Sequence, residues 1–503
     1  MLTEAQKQIC VEKAEFVLLE IQRISELLNS GSRLQDILGE GPSAMFEFLA
    51  KIKHAEKERE YICGQKAFQI FPELALIALA GRPDVQDFDP KEVTERLRTT
   101  LLSFVFKNRD GSIADFIEEW LKDALVSVSR RHRSYTHYIP CVALQIGDGD
   151  SYRLGAIEFS RKSRVRAEAL DALTKYESAR DRLSNGARRN AAPGLQWCWD
   201  RAAEHPPKDP AEAFDRLTEG VEWVAKITVP RCACRVSELR AEAALRLALC
   251  GATVILPRDE GAELRLKDDP SNPFQVNKLS SIGMGTKFRP SSSWRFGAPK
   301  VGEGWREHIE SKASQLLAVL EHLIEQTLAG QPLSFGFQIA LRAITWYADA
   351  VRETNVETRL VKCTTAIECL LLPPKRQATA AFVIRGALLA QRDGFPMGHW
   401  APIAKRLYER RGDVVHGNID SLRSAVQESS SEAMDFTRNV VLQFLVFCHR
   451  LQPLGPRRVG TRDDFLSLYR EAEGRFHDDV DAIVKKYKFA WNVVPSPSLE
   501  LRQ

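Results

Sequence analysis

VETRLVKCTTAIECLLLPP, residues 356–374, has helical character to about 372 and ends on Pro373-Pro374, which cannot extend a helix. The chain around it has the same texture from 305 to about 451. Candidate helices cover 305–328, 333–352, 356–372, 376–392, 399–411 and 430–451, with Gly394-Phe395-Pro396 and Gly417-Asn418 among the separators. A further helix is expected over 462–488, before a loose tail, NVVPSPSLELRQ. Residues 305–460 are therefore expected to form a helical domain, and 461–503 a C-terminal helix and tail.

Upstream, residues 1–130 also read as mainly helical. Thr3-x-x-Gln6 has the spacing of a capping box. Ile9, Phe16, Leu19, Ile24, Leu27 and Leu28 then predict an apolar helical stripe. Further helical patterns lie near 43–56, 64–80, 90–106 and 112–129. The texture changes over 131–304, which is expected to mix α and β structure. YTHYIPCVALQI, the turn GDGDS and YRLGAIEF predict a β-hairpin. Helical patterns follow at 164–185, 211–226 and 235–250, with short strand candidates ATVILP and AELRLK. Residues 270–304, rich in Ser, Gly and Pro, read as a boundary or a long functional loop. The expected fold class is mainly α, with a mixed α/β N-terminal region and a C-terminal helical bundle.

At 503 residues the chain has room for two to four domains. With 44% hydrophobic and 27% charged residues it belongs with ordinary soluble globular proteins, which excludes wholly disordered, collagenous and disulfide-scaffold classes. The net charge of +4 is too mild to define a nucleic-acid or membrane binder by itself. Its location is more telling: residues 331–455 hold 15 Lys+Arg against 11 Asp+Glu, so the whole formal excess falls in the helical block. The ten cysteines are scattered without a CxxC pair, and Cys10, Cys250 and Cys448 sit in apolar helical patterns. That usage fits a reducing cytosol. No signal peptide and no transmembrane stretch is read, so a cytoplasmic location is expected, with no membrane partner.

LYERRGDVVHGNID, residues 407–420, carries the chemistry. Arg411 and His416 are separated by four residues, with Arg410, Asp413 and Asn418 nearby. Such a pair is the minimum for cutting RNA without a metal. The ribose 2′-hydroxyl must lose a proton as it attacks phosphorus, and the 5′-oxygen must gain one as it leaves. An unperturbed imidazole, titrating at roughly 6.5, can do either near neutrality. A guanidinium stays charged and can hold two oxygens of the phosphorane-like transition state in its fork. On a regular helix five positions rotate by about 140°, so the two side chains would diverge. Either the backbone breaks at Gly412, or two copies face each other across a two-fold axis.

The segment resembles the R-x4–6-H motif of HEPN domains, and more narrowly the Apea-like HEPN group. VETRLVKCTTAIECLLLPP is similar to that family's second helix, with Glu368 at its acidic position. RLYERRGDVVHGNID is similar to the stretch ending in Val-His-Gly, and FLVFCHRL to the closing helix of the bundle. The resemblance covers about 330–455. It implies a metal-independent endoribonuclease that dimerises through these helices and acts in anti-phage defence as an RNase toxin. Arg411 and His416 would be the catalytic pair, His416 as general acid/base and Arg411 on the transition-state phosphate. Arg410 and Asn418 would support them, Glu368 would orient, and Lys405 and Arg406 would contact RNA. No metal or nucleotide cofactor is implied. Products would carry a 2′,3′-cyclic or 3′-phosphate and a 5′-hydroxyl. Active members often have a polar residue after the motif Arg; here it is Gly412. The region before 305 would sense a phage-derived trigger or a regulatory partner. The alternative is a catalytically inactive module that binds nucleic acid or protein.

Other residues point to blander roles. His132, His137 and Cys141 lack a fourth ligand and firm metal spacing. Arg130, Arg131, His132 and Arg133 read as a solvated basic helix end, or as contacts to RNA phosphates. Cys232-Ala-Cys234 is too tight for a CxxC loop. Asp115, Glu119 and Asp123 share one helix face, and Asp148, Asp150 and Glu158 lack a nuclease lysine because position 160 is Ser160. Gly283-Met284-Gly285 has neither a P-loop nor a dinucleotide context.

Overall fold

The computed structural model describes residues 2–30, 50–53, 60–107, 112–146, 150–168, 170, 210–256, 264–266, 275–281, 288–294, 300–301, 305–373, 378–392, 394–417, 423–451 and 460–487. Along the chain run α1 (Glu4–Asn29), β1 (Ala50–Lys53), β2 (Glu60–Cys63), α2 (Gln65–Phe68), α3 (Ile70–Leu79), α4 (Pro90–Lys107) and α5 (Ile113–Ser129). Next come β3 (Arg133–Val142), β4 (Gln145–Ile146), β5 (Ser151–Leu154), β6 (Ile157–Arg161), α6 (Pro210–Leu217), β7 (Trp223–Cys232) and α7 (Cys234–Ile255). Four more strands follow: β8 (Arg265–Leu266), β9 (Gln275–Ser281), β10 (Phe288–Trp294) and β11 (Lys300–Val301). The rest is helical: α8 (Trp305–Ala329), α9 (Phe335–Arg352), α10 (Val356–Leu371), α11 (Ala378–Ala390), α12 (Met397–Val415), α13 (Arg423–Leu451), α14 (Arg462–Arg475) and α15 (His477–Tyr487). Two compact units divide the chain, one drawn from Met1–Tyr135 and Val229–Leu239, the other from Thr136–Ser178, Cys198–Thr228 and Arg240–Gln503.

In the first unit α1 begins as its sequence dictates. Thr3 N donates to Gln6 Oε1 (2.9 Å) and Gln6 N to Thr3 Oγ1 (3.2 Å), closing the capping box. Of the expected stripe, Ile24 is buried, but the rest of the buried face is different. Cys10, Val11, Ala14, Val17, Ile21 and Ile24 face the core, whereas Ile9, Phe16 and Leu19 are exposed. Small side chains at 10, 14 and 17 let α1 approach α3 and α5 closely, and that packing overrides the pull of the larger residues. The side chains of Leu27 and Leu28 lie outside the described residues. Phe71, Leu97, Ile117 and Trp120 fill the centre of this core. The buried Trp120 Nε1 donates to Thr100 Oγ1 (3.0 Å), so its one polar atom is satisfied.

The sheet of the second unit has the order β5-β6-β7-β3-β8. YRLGAIEF is itself the hairpin, with Leu154 opposite Ile157 and a two-residue turn at Gly155, whose φ of +56° suits glycine. The expected partner strand, β3, lies between β7 and β8 instead. β7 occupies part of the segment read as helix over 211–226; only Pro210–Leu217 is helical. Ala225, Ile227 and Val229 are buried in alternation with Lys226 and Thr228, the period of two that a strand requires. ATVILP closes α7 rather than forming a strand, and β1 falls inside the stretch read as helical over 43–56. Part of the expected loop over 270–304 is the antiparallel pair β9–β10.

His137 on β3 is buried, and burial pushes its imidazole down to about 4. Histidine in an unfolded chain titrates near 6.5, so the unfolded state takes up the proton first as pH falls. This contribution to stability is full above about pH 6.5 and is lost as pH drops towards 4, where it amounts to about 3 kcal/mol. Unfolding free energies measured between those limits should fall in the wild type and flatten in His137→Gln.

The C-terminal helices form a bundle. α13 is central to it and packs on α8, α9, α10, α11 and α12. From α13, Arg438 donates to the carbonyls of Val254 (2.8 Å) and Ile255 (2.6 Å), satisfying the end of α7. α10 starts on Asn355, whose side chain accepts from Thr358 N (2.8 Å). Its other end turns left-handed at Leu372 (φ 49°) and is held by two side chains. Tyr469 Oη donates to Leu370 O (2.7 Å), while Arg385 Nη1 donates to Leu371 O (2.9 Å) and Leu372 O (3.2 Å). Arg385 Nε in turn donates to Glu473 (2.7 Å). The helix expected over 462–488 is two, broken at Phe476, which keeps α14 against α11 while α15 reaches α12.

Candidate active site

α12 carries Lys405, Arg406, Arg410 and Arg411, four of the seven side chains picked out in the sequence. It runs unbroken through Gly412, so the backbone break considered there does not occur. A single glycine costs a helix only about 1 kcal/mol, too little to open one packed along its length. The stop comes at the Val-His-Gly triplet. His416 N donates to Gly412 O (3.0 Å), and Gly417 takes φ +75° and donates to Val414 O (3.3 Å). Nothing lies within 4 Å of a Cβ placed on Gly412. Gly412→Ala should therefore raise the unfolding free energy by about 0.5–1 kcal/mol, read by thermal denaturation, through helix propensity alone.

On the inner side of α12, Arg411 Nη2 lies 3.8 Å from Glu368 Oε2 of α10. That is an ion pair too long for a direct hydrogen bond. Arg411 Nε is buried and has no hydrogen-bond partner among the described residues. The fork is thus held loosely, with donors to spare for an anionic guest. Burial pushes the Glu368 carboxyl above its usual range, and the Arg411 charge only partly opposes this. Tyr408, one turn before Arg411, completes the group. Burial raises its phenol, with Glu368 adding to the shift and Arg411 opposing it, and its ring packs 4.8 Å from Phe382. The sequence reading missed Tyr408, although its i, i+3 spacing to Arg411 puts both on one face.

His416 is exposed at the end of α12. It follows Arg411 by five residues and so lies about 140° round the helix, on the stripe of Lys405, Glu409 and Gly412. Arg410 is half-buried beside Arg411. The two expected RNA contacts have acidic neighbours: Lys405 is 3.5 Å from Glu409, and Arg406 pairs with Glu432 of α13 at 2.7 Å. Asn418 lies outside the described residues. The structure therefore brings Glu368, Tyr408 and Arg411 together and sets His416 apart from them within one chain.

His132 and His137 are both buried. Arg133 and Arg231 donate to carbonyls at the end of α5, so this basic cluster braces a turn. Among the described residues no three His, Cys, Asp or Glu side chains gather as metal ligands would, and no helix is long and apolar enough to cross a membrane. No family model matches the chain, nor does any curated protein or solved structure.

Proposed function

We propose that the chain is a metal-independent endoribonuclease of the HEPN type, acting as an anti-phage effector or toxin. The observation that carries this reading is the loosely held Arg411 fork beside Glu368, at the end of a bundle helix whose last residues present an exposed imidazole. Arg411 would bind the non-bridging phosphate oxygens and gain strength as charge accumulates on them. Glu368 would orient the guanidinium without competing fully for it. His416 would move the proton to or from the ribose linkage. Because one chain points Arg411 and His416 apart, the site would be completed by a second copy across a two-fold axis.

The same divergence favours a second reading, an interaction module without catalysis. Expression of the wild type beside His416→Ala, scored by growth and total RNA integrity, separates the two. Growth arrest with RNA loss in the wild type alone supports the nuclease; equal growth and intact RNA in both, with the activating trigger present, supports the silent module.

A further inference from the structure

α1 has two distinct faces. Cys10, Ala14, Val17 and Ile21 turn to the core of the first unit. On the opposite side Ala5, Ile9, Glu12, Phe16, Leu19, Arg23 and Glu26 form one exposed stripe. Their spacing alternates four and three, the a/d repeat of a coiled-coil seam, over about three heptads. Ile9, Phe16 and Leu19 stand 43%, 44% and 65% exposed on it. One apolar stripe is enough to hold a helix to its own domain, and the buried face already supplies it.

We infer that this stripe pairs with the same stripe of a second copy of the chain, the two α1 helices running antiparallel. Charge selects the orientation and the register. A parallel pair would set Glu12 against Glu12, Arg23 against Arg23 and Glu26 against Glu26. The antiparallel register that opposes Phe16 to Leu19 instead puts Glu12 opposite Arg23 on both sides of that apolar centre, with Lys13 near Glu20 on the flank. About 24 residues of each helix then overlap, roughly 36 Å. The register that opposes Ile9 to Leu19 would set Glu12 against Phe16 and bring Lys13 to Lys13 and Glu15 to Glu15, so like charges count against it. Within one chain Arg23 Nε and Nη2 donate to Glu20 (2.9 and 2.8 Å), which leaves Nη1 for Glu12 of the second copy. A lipid surface fits less well. Glu12, Glu15 and Glu26 are exposed along the stripe, where a membrane-bound helix carries Lys and Arg. The contact lies outside the residues assigned to catalysis and does not rest on the ribonuclease reading.

The test is sedimentation velocity of the full chain over a dilution series, with the melting temperature as the folding control. The wild type should self-associate in the micromolar range or below. Leu19→Asp should weaken this about a hundredfold, because the side chain enters the apolar centre twice. Glu12→Arg and Arg23→Glu should each weaken it roughly tenfold or more by bringing like charges together. The double variant E12R/R23E should restore it, an outcome that damage to the fold would not produce. Self-association that is unchanged in Leu19→Asp, or lost in the single charge variants and not recovered in the double, overturns the inference. So does a wild type that stays monomeric throughout the micromolar range, and so does binding to phosphatidylglycerol vesicles that Leu19→Asp abolishes without any effect on self-association.

Discussion

His416→Ala should slow RNA cleavage by about 10²–10⁴, the usual worth of a positioned acid or base. Arg411→Ala should cost about 10²–10³, as expected for removing one group aimed at developing charge. Arg411→Lys should fall between wild type and Arg411→Ala, because an ammonium keeps the charge but lacks the planar fork. The double variant should be little worse than the poorer single one, since the proposed mechanism has the two side chains act on one transition state. His416 is exposed, so its truncation should leave stability within about 0.5 kcal/mol. A rate loss with unchanged unfolding therefore reports on chemistry. Cleavage at the wild-type rate in His416→Ala would remove the imidazole from the mechanism.

Arg385→Met should lower the unfolding free energy by about 3–5 kcal/mol, the second large effect. Arg385 and Glu473 are almost fully buried, and the guanidinium also holds the carbonyls of Leu371 and Leu372. Removing it leaves a buried carboxylate without its counter-charge and two backbone acceptors without their donor. Adding Glu473→Leu should recover most of the loss, because the stranded charge goes with it. Urea unfolding with an unchanged m-value is the measurement. Equal losses in the single and double variants would assign the cost to the freed carbonyls. The effect bears on the site because Glu368 sits one turn before the carbonyls that Arg385 and Tyr469 hold.

Long helices with local stop signals were legible in the sequence. The Pro pair after 372 and the glycines at 394 and 417 bound helices within a few residues of where they end. The Thr3–Gln6 box needed no tertiary information at all. Faces and pairings were less legible. The helical stripe placed Ile9, Phe16, Leu19 and Ile24 on the core face of α1; Ile24 is buried, but Cys10, Ala14 and Val17 take the place of the other three. β3 looked ready to pair with the next strand, yet its neighbours come from about 90 and 125 residues downstream, beyond any turn signal. The proximity of Glu368 to Arg411 depends on how α10 packs against α12, and spacing cannot report that. Tyr408, by contrast, was within reach of the spacing, three residues before Arg411 on the same helix. Gly412 looked like a hinge because its propensity is poor, and packing kept the helix intact through it.

The most direct test is the chemistry of the cut ends after the wild-type protein, freed of metal with EDTA, acts on single-stranded RNA in the presence of its activating trigger. Mass spectrometry should find 2′,3′-cyclic phosphate or 3′-phosphate with 5′-hydroxyl ends, and no cut at a position carrying 2′-deoxyribose. Products ending in 5′-phosphate, cleavage that EDTA stops, or equal cutting at 2′-deoxyribose would contradict catalysis by Arg411 and His416.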